Sequence, residues 1–223
     1  MGLPTIGSFT TQPSGLSVPV GPDVVQHADE GGGGGGGRLL LDNFVEAIDT
    51  TINLHTPDED SVGNGWGSGG GDPMTIEADT NDLHGLTNET AIIDVGVTAK
   101  DMGMTIREVG GDYLCVCWRI VDNANWIGLL GDDGGYWVYK EIGGSLAEVD
   151  GTKINWTLPT DVIRVTVNAA GDYNTYLNDV WKNSGTVNEL IGNTNVGYFV
   201  YSSGGTGEKF VQYVDTYELG NRP

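Results

Sequence analysis

The chain has 223 residues, 37 of them glycine, and 31 acidic against 10 basic side chains leave a formal charge of −21. Nucleic acid is excluded as a partner, because it is bound by releasing counterions to Lys and Arg, and an anionic membrane surface is disfavoured for the same reason. Six Trp and nine Tyr within a hydrophobic share of 38% supply the large apolar side chains of a folded core.

Residues 1–30 hold Pro4, Pro13, Pro19 and Pro22, with a short apolar cluster at Leu16, Val18 and Val20. Proline fixes φ and cannot donate to a ladder, so this stretch reads as an extended arm. Its only charges are Asp23, Asp29 and Glu30, so whatever the arm contacts should meet apolar groups and backbone. Residues 31–37 are all glycine and form a flexible joint. The opening residues lack the basic start and apolar run of a signal peptide, and no stretch approaches the roughly 18 apolar residues of a membrane span. The expectation is a chain neither exported by the general route nor inserted in a membrane.

From 38 to 223 the texture changes to short aromatic and β-branched runs, punctuated every eight to twelve residues by Gly, Asn and Asp. Strands are predicted near 39–44, 73–79, 82–87, 90–97, 101–109, 113–121, 125–131, 135–142, 145–149, 161–169, 172–178, 195–202 and 210–219. Gly110-Gly-Asp112, Gly131-Asp-Asp-Gly-Gly135, Gly143-Gly144 and Ala170-Gly171 supply turns in which positive φ costs little. No segment keeps a 3.6-residue period with caps. The fold class is all-β, a sandwich or barrel. Cys115 and Cys117, the only cysteines, sit on one face of a strand at i and i+2, a spacing unsuited to a disulfide, and read as packed thiols.

The order Leu41-Asp-Asn-Phe44, Gly65-Trp66, Met74-Thr-Ile-Glu-Ala78, Asn81-Asp-Leu-His-Gly85 and Ile93-Asp-Val-Gly96 resembles the opening of concanavalin A-like (laminin-G-like) jelly rolls. The likeness continues through Cys117-Trp-Arg-Ile-Val-Asp-Asn-Ala-Asn-Trp126, Gly135-Tyr-Trp-Val-Tyr-Lys-Glu-Ile-Gly-Gly144, Ile163-Arg-Val-Thr-Val167, Tyr176-Leu-Asn-Asp179 and Phe210-Val-Gln-Tyr-Val-Asp-Thr-Tyr217. It implies an antiparallel jelly-roll sandwich of two sheets, preceded here by the arm. Such domains serve as lectins, glucanases, carbohydrate-binding modules and virion blocks, so function has to come from sites.

Glucanases of that fold carry Glu-x-Asp-x-x-Glu on one strand. Here Glu77-Ala-Asp79-Thr-Asn-Asp82 ends in Asp, with Thr80-Asn81 as the turn, which places Asp82 on the return strand and argues against catalysis. Asp58 and Asp60, in a Gly-containing acidic loop, are the candidate metal ligands, with calcium the ion that oxygen donors suit; a solvated acid cluster competes, and otherwise no cofactor is expected. Trp126, Asn125, Tyr136 and Tyr139 are candidate glycan-binding residues, since aromatic faces stack on sugar rings and Asn bonds hydroxyls. Trp118 and Arg119, like Tyr136 and Trp137, should face opposite ways as strand neighbours, and Arg119 is expected to pair with Asp122.

Three functions compete. The first is a non-enzymatic tailed-virus structural protein, a capsid decoration or cement protein on the outer surface of the particle. Its arm, through Leu16, Val18 and Val20, would hold the major capsid protein or another virion protein, with the chain a homo-oligomer. The alternative is a carbohydrate-binding adhesin for a host-surface glycan, which needs an exposed aromatic pair flanked by Asn or Asp. A polysaccharide-cleaving enzyme ranks third.

Overall fold

The computed structural model describes residues 37–86, 88–110, 113–151, 153–201 and 209–219. The arm of 1–30, with Leu16, Val18 and Val20, and the glycine joint apart from Gly37 lie outside the described residues. The strands are β1 (Arg38–Asp42), β2 (Thr50–Thr51), β3 (Glu59–Asp60), β4 (Asp72–Pro73), β5 (Thr75–Glu77), β6 (Asp82–Gly85), β7 (Glu89–Asp94), β8 (Lys100–Val109) and β9 (Tyr113–Asp122). They continue as β10 (Asn125–Asp132), β11 (Gly135–Ile142), β12 (Ser145–Glu148), β13 (Ile154–Asn155), β14 (Val162–Val167), β15 (Asp172–Leu177), β16 (Val180–Thr186), β17 (Asn195–Tyr201) and β18 (Lys209–Glu218). A 3₁₀ turn occupies Ile52–Leu54.

The strands form a sandwich of two sheets, as the fold class requires. The ten-stranded sheet runs β16-β15-β14-β8-β18-β6-β5-β2, with β1 beside β18 and β3 beside β1. The eight-stranded sheet runs β12-β11-β10-β9-β17-β7-β4, with β13 beside β11. Pairing is antiparallel except for the short β4–β7 contact. Between the sheets, Leu114, Val116, Trp118, Leu129 and Val138 from one side meet Met102, Met104, Ile163, Val165 and Tyr173 from the other. Alternation explains the division: Ile163 and Val165 are buried and Arg164 between them is half-buried, one face dry and the other wet.

Two hairpins show how local chemistry sets this topology. Gly143 (φ 61) and Gly144 (φ 77) link β11 to β12, with Ile142 opposite Ser145; two positive φ values are the type I′ requirement that glycine meets without strain. Asn178 (φ 52) and Asp179 (φ 60) do the same between β15 and β16, where Leu177 lies opposite Val180. Asn and Asp are the other residues that tolerate this conformation. Strand β16 itself was not anticipated: Val180–Thr186 is buried at no position, so it shows no hydrophobic alternation.

A bulge corrects one expectation. Ile127 pairs with Arg119 and Gly128 with Cys117, which leaves Trp118 as an extra residue on β9. Trp118 and Arg119 therefore both turn inward instead of opposing each other. Trp118 packs 5.4 Å from Tyr173.

Candidate functional site

The outer face of the eight-stranded sheet carries most of the aromatics expected to bind glycan. Across it, Tyr139, Gly128, Cys117, Gly197 and Ile92 lie in one row perpendicular to the strands. A Cβ at Gly128 would stand 2.2 Å from the Val116 carbonyl oxygen, and one at Gly197 2.4 Å from that of Ala91. Close backbone approach thus demands glycine at both, and the row becomes a trough. Trp126 and Phe199 meet edge to face beside it, centroids 5.3 Å apart.

These rings pack with Cys115, Cys117, Ile120 and Leu130 as a second hydrophobic cluster, with the half-buried Tyr113, Tyr139 and Tyr201 against it. Trp126 is 0% exposed, and its Nε1 donates to Glu141 Oε2 at 3.0 Å. Cys115 and Cys117 are free, buried thiols as anticipated, and burial pushes both well above the usual thiol range. This face is a hydrophobic layer in its own right.

The four expected glycan ligands are consequently not assembled into one exposed platform. Tyr136 points between the sheets, 5.5 Å from Trp156, and burial pushes its hydroxyl up to about 12. Asn125 is spent on the β10–β9 turn: its Nδ2 donates to Asp122 and its Oδ1 accepts from the Gly143 amide. Of the four, Tyr139 and Asn125 keep part of their surface, and Trp126 and Tyr136 keep none. Arg119 does not pair with Asp122; it donates to the carbonyls of Val187, Glu189 and Asn168, while Asp122 accepts from Ala124 and Asn125.

Asp58 and Asp60 act as loop braces. Asp58 accepts from the backbone and side chain of Asn43, and Asp60 accepts from the amides of Val62, Gly63 and Gly65. Among the described residues no three of His, Cys, Asp and Glu stand together as a metal-holding group. Glu77 and Asp82 face each other across the β5–β6 hairpin, so Asp82 is on the return strand as predicted. Asp82 is 1% exposed and ion-paired with Arg107 at 2.5 Å, and Glu77 sits 3.0 Å from His84. A carboxyl without accessible surface has no contact to offer a substrate.

A third acidic cluster went unnoticed in sequence because its members are far apart along the chain. His55 Nε2 lies 2.9 Å from Asp42 and its Nδ1 2.6 Å from Glu46, and the fully buried Asp42 also accepts from Trp66 Nε1 at 2.6 Å. Both ring nitrogens face acceptors, which only the doubly protonated imidazolium satisfies. Burial pulls the His55 pKa down, but the hydrogen bonds and charges of Asp42 and Glu46 outweigh it and hold the pKa above 6.5. The cluster latches the segment after β1 to the sandwich.

The exposed aromatic, Trp181, lies on the other sheet beside the half-buried Tyr176. On its outer face Arg164, Tyr176 and Trp181 stand in register across β14, β15 and β16. Trp181 is 57% exposed. Arg164 sits over the Tyr176 ring at 5.0 Å, donates to both oxygens of Asp101 at 2.8 and 2.7 Å, and lies 3.6 Å from Asp179. The next row on this face is Thr166, Asn174 and Ser184. Sequence reasoning missed Trp181 with its strand; the signal that would have found it is Asn178-Asp179 flanked by Tyr176 and Trp181 at equal distances.

No described protein family matches the chain, and neither does any curated protein. In outline it is similar to the binding domain of botulinum neurotoxin DC in complex with SialylT (TM-score 0.49, 11% identity, 81% of this chain and 47% of that one). The botulinum neurotoxin type G receptor binding domain gives 0.48 and 10% over 79% of this chain and 49% of that one. Domain 4 of AbnA, an extracellular arabinanase from Geobacillus stearothermophilus in complex with arabinotriose, gives 0.46 and 14% over 82% and 93%. The chain thus spans about half the length of the toxin domains it matches. The class, an antiparallel β-sandwich, rests on its own two sheets, and the site on its own residues.

Proposed function

We propose that this domain is a non-enzymatic carbohydrate-binding protein that takes a glycan on the outer face of its ten-stranded sheet. The observation that supports the reading is the exposed Trp181 in register beside Tyr176, flanked by Asn174, Asp179 and Arg164. The C–H face of a sugar ring packs on an indole, and neighbouring amides and carboxylates bond its hydroxyls. A host-surface glycan is the corresponding partner. The competing reading, a virion decoration protein, rests on the arm of residues 1–30, and the described residues add nothing to it.

The test is a glycan array with the full chain and its Trp181→Ala variant. Binding by the parent that is lost in the variant, with unchanged melting, supports the proposal. No hit with the parent, or binding indifferent to Trp181, overturns it.

A further inference from the structure

We infer that the platform takes an extended, uncharged polysaccharide chain lying along β15 and β16, and neither a terminal sugar nor an acidic one; this rests on the glycan-binding reading above. Three rows share that face: Arg164, Tyr176 and Trp181; then Thr166, Asn174 and Ser184; then Asp172 and Thr186. On β15 each row lies two residues from the next, while on β16 a bulge at Lys182 sets Ser184 three residues from Trp181; along β15 the aromatic end and the last polar row are about 14 Å apart, longer than any single sugar ring. The surface is the open outer face of an edge hairpin, whereas a terminal sugar is held by polar groups converging in a concave pocket.

Charge argues for a neutral chain. The Arg164 guanidinium is already engaged by both Asp101 oxygens and flanked by Asp179, so its charge is spent within the protein. Asp172, which accepts from Thr186 and Asn168, and Asp179 stand beside the track. Against these carboxylates only Lys182 of β16 adds a cation on that strand, in a chain of net charge −21. A uronate or sialate would be repelled. Hydroxyls, in contrast, suit the mixed donors and acceptors of Asn174, Ser184 and Thr186.

The experiment is affinity electrophoresis and calorimetry of the full chain against neutral polymers (β-glucan, xylan, arabinan, mannan), their mono- and trisaccharides, and polygalacturonate and hyaluronate. Trp181→Ala, Trp181→Phe and Asn174→Ala are run beside the parent. The expected result is binding to a neutral polymer at least about tenfold tighter than to its monosaccharide. Trp181→Ala should weaken it by about tenfold or more, Trp181→Phe should restore part, and Asn174→Ala should weaken polymer more than monosaccharide. A monosaccharide bound as tightly as the polymer overturns the extended chain while leaving glycan binding intact, and a preference for the acidic polymers overturns neutrality. No sugar bound at all, or concentration-dependent self-association through β16 that Trp181→Ala abolishes, overturns the glycan reading itself.

Discussion

The two outer faces of this sandwich use similar side chains to opposite ends. On the eight-stranded sheet, glycines at 128 and 197 open a trough beside which Trp126 and Phe199 pack, and the aromatics become a second core over two buried thiols. On the ten-stranded sheet, β15 and β16 run as an edge hairpin without such a trough, and Trp181 stays in water. An aromatic on a sheet's outer face is therefore a binding group only where its neighbours leave its ring uncovered. Strand spacing cannot distinguish the cases, because both tryptophans face outward.

The largest effect that would break this contrast is on stability. Trp126→Ala should cost about 3–5 kcal/mol in denaturant unfolding, as for other fully buried large side chains, and should expose Cys115 and Cys117 to thiol reagents that leave the parent unlabelled. Trp181→Ala should change stability by no more than about 0.5 kcal/mol. Equal costs at the two positions would mean that the faces are built alike.

Next in size is Arg164→Ala. It strips the buried Asp101 of its two-pronged partner and should cost about 2–3 kcal/mol, below the roughly 3–5 kcal/mol of a broken fully buried pair because Arg164 is itself partly exposed. A loss close to zero would show that the platform's order does not depend on this ion pair.

The pH response should come from neither face. His55, held above its ordinary value between Asp42 and Glu46, contributes stability that is full below 6.5 and is lost as pH rises through its raised pKa. Lys100 acts in the opposite direction: burial first, then the charge of Arg119, lowers it from 10.5 to about 7. The unfolded chain binds a proton that the native one lacks between those values, so stability climbs from about pH 7 upward. The windows overlap, so each is read as parent minus variant. His55→Asn should remove the alkaline loss and Lys100→Met the alkaline gain, while glycan binding stays unaltered by either. A His55→Asn profile parallel to the parent's would dispose of the latch.

Smallest is the salt response. With 31 acids against 10 bases, self-repulsion is screened as the Debye length falls from about 30 Å at 0.01 M to about 8 Å at 0.15 M. The melting temperature should rise by a few degrees across that range, and a flat response would mean that the acids are too widely spaced to matter.

Much of the architecture was legible in residues. The I′ glycines at 143 and 144, the alternation at 162–167 and the paired cysteines each point to their observed places by local chemistry. The candidate site was not legible, for a local reason too: Val180–Thr186 is an edge strand with both faces wet, so nothing selects an apolar alternation. The residues nominated instead, Trp126, Tyr136, Asn125 and Tyr139, were chosen by side-chain type; strand spacing parts Tyr136 from Tyr139, and for Trp126 it fixes a face and not what covers it.

The sequence by itself determined an all-β chain, its main hairpins and a strongly acidic surface, since propensity, turn chemistry and charge act between near neighbours. Tertiary structure alone decided that Trp118 and Arg119 share a face, that His55 lies between Asp42 and Glu46, and that Trp126 is sunk while Trp181 is exposed. Those outcomes depend on a bulge, on glycine gaps in adjacent strands and on which strand lies at an edge. All three are set by cross-strand register, which joins residues distant in sequence.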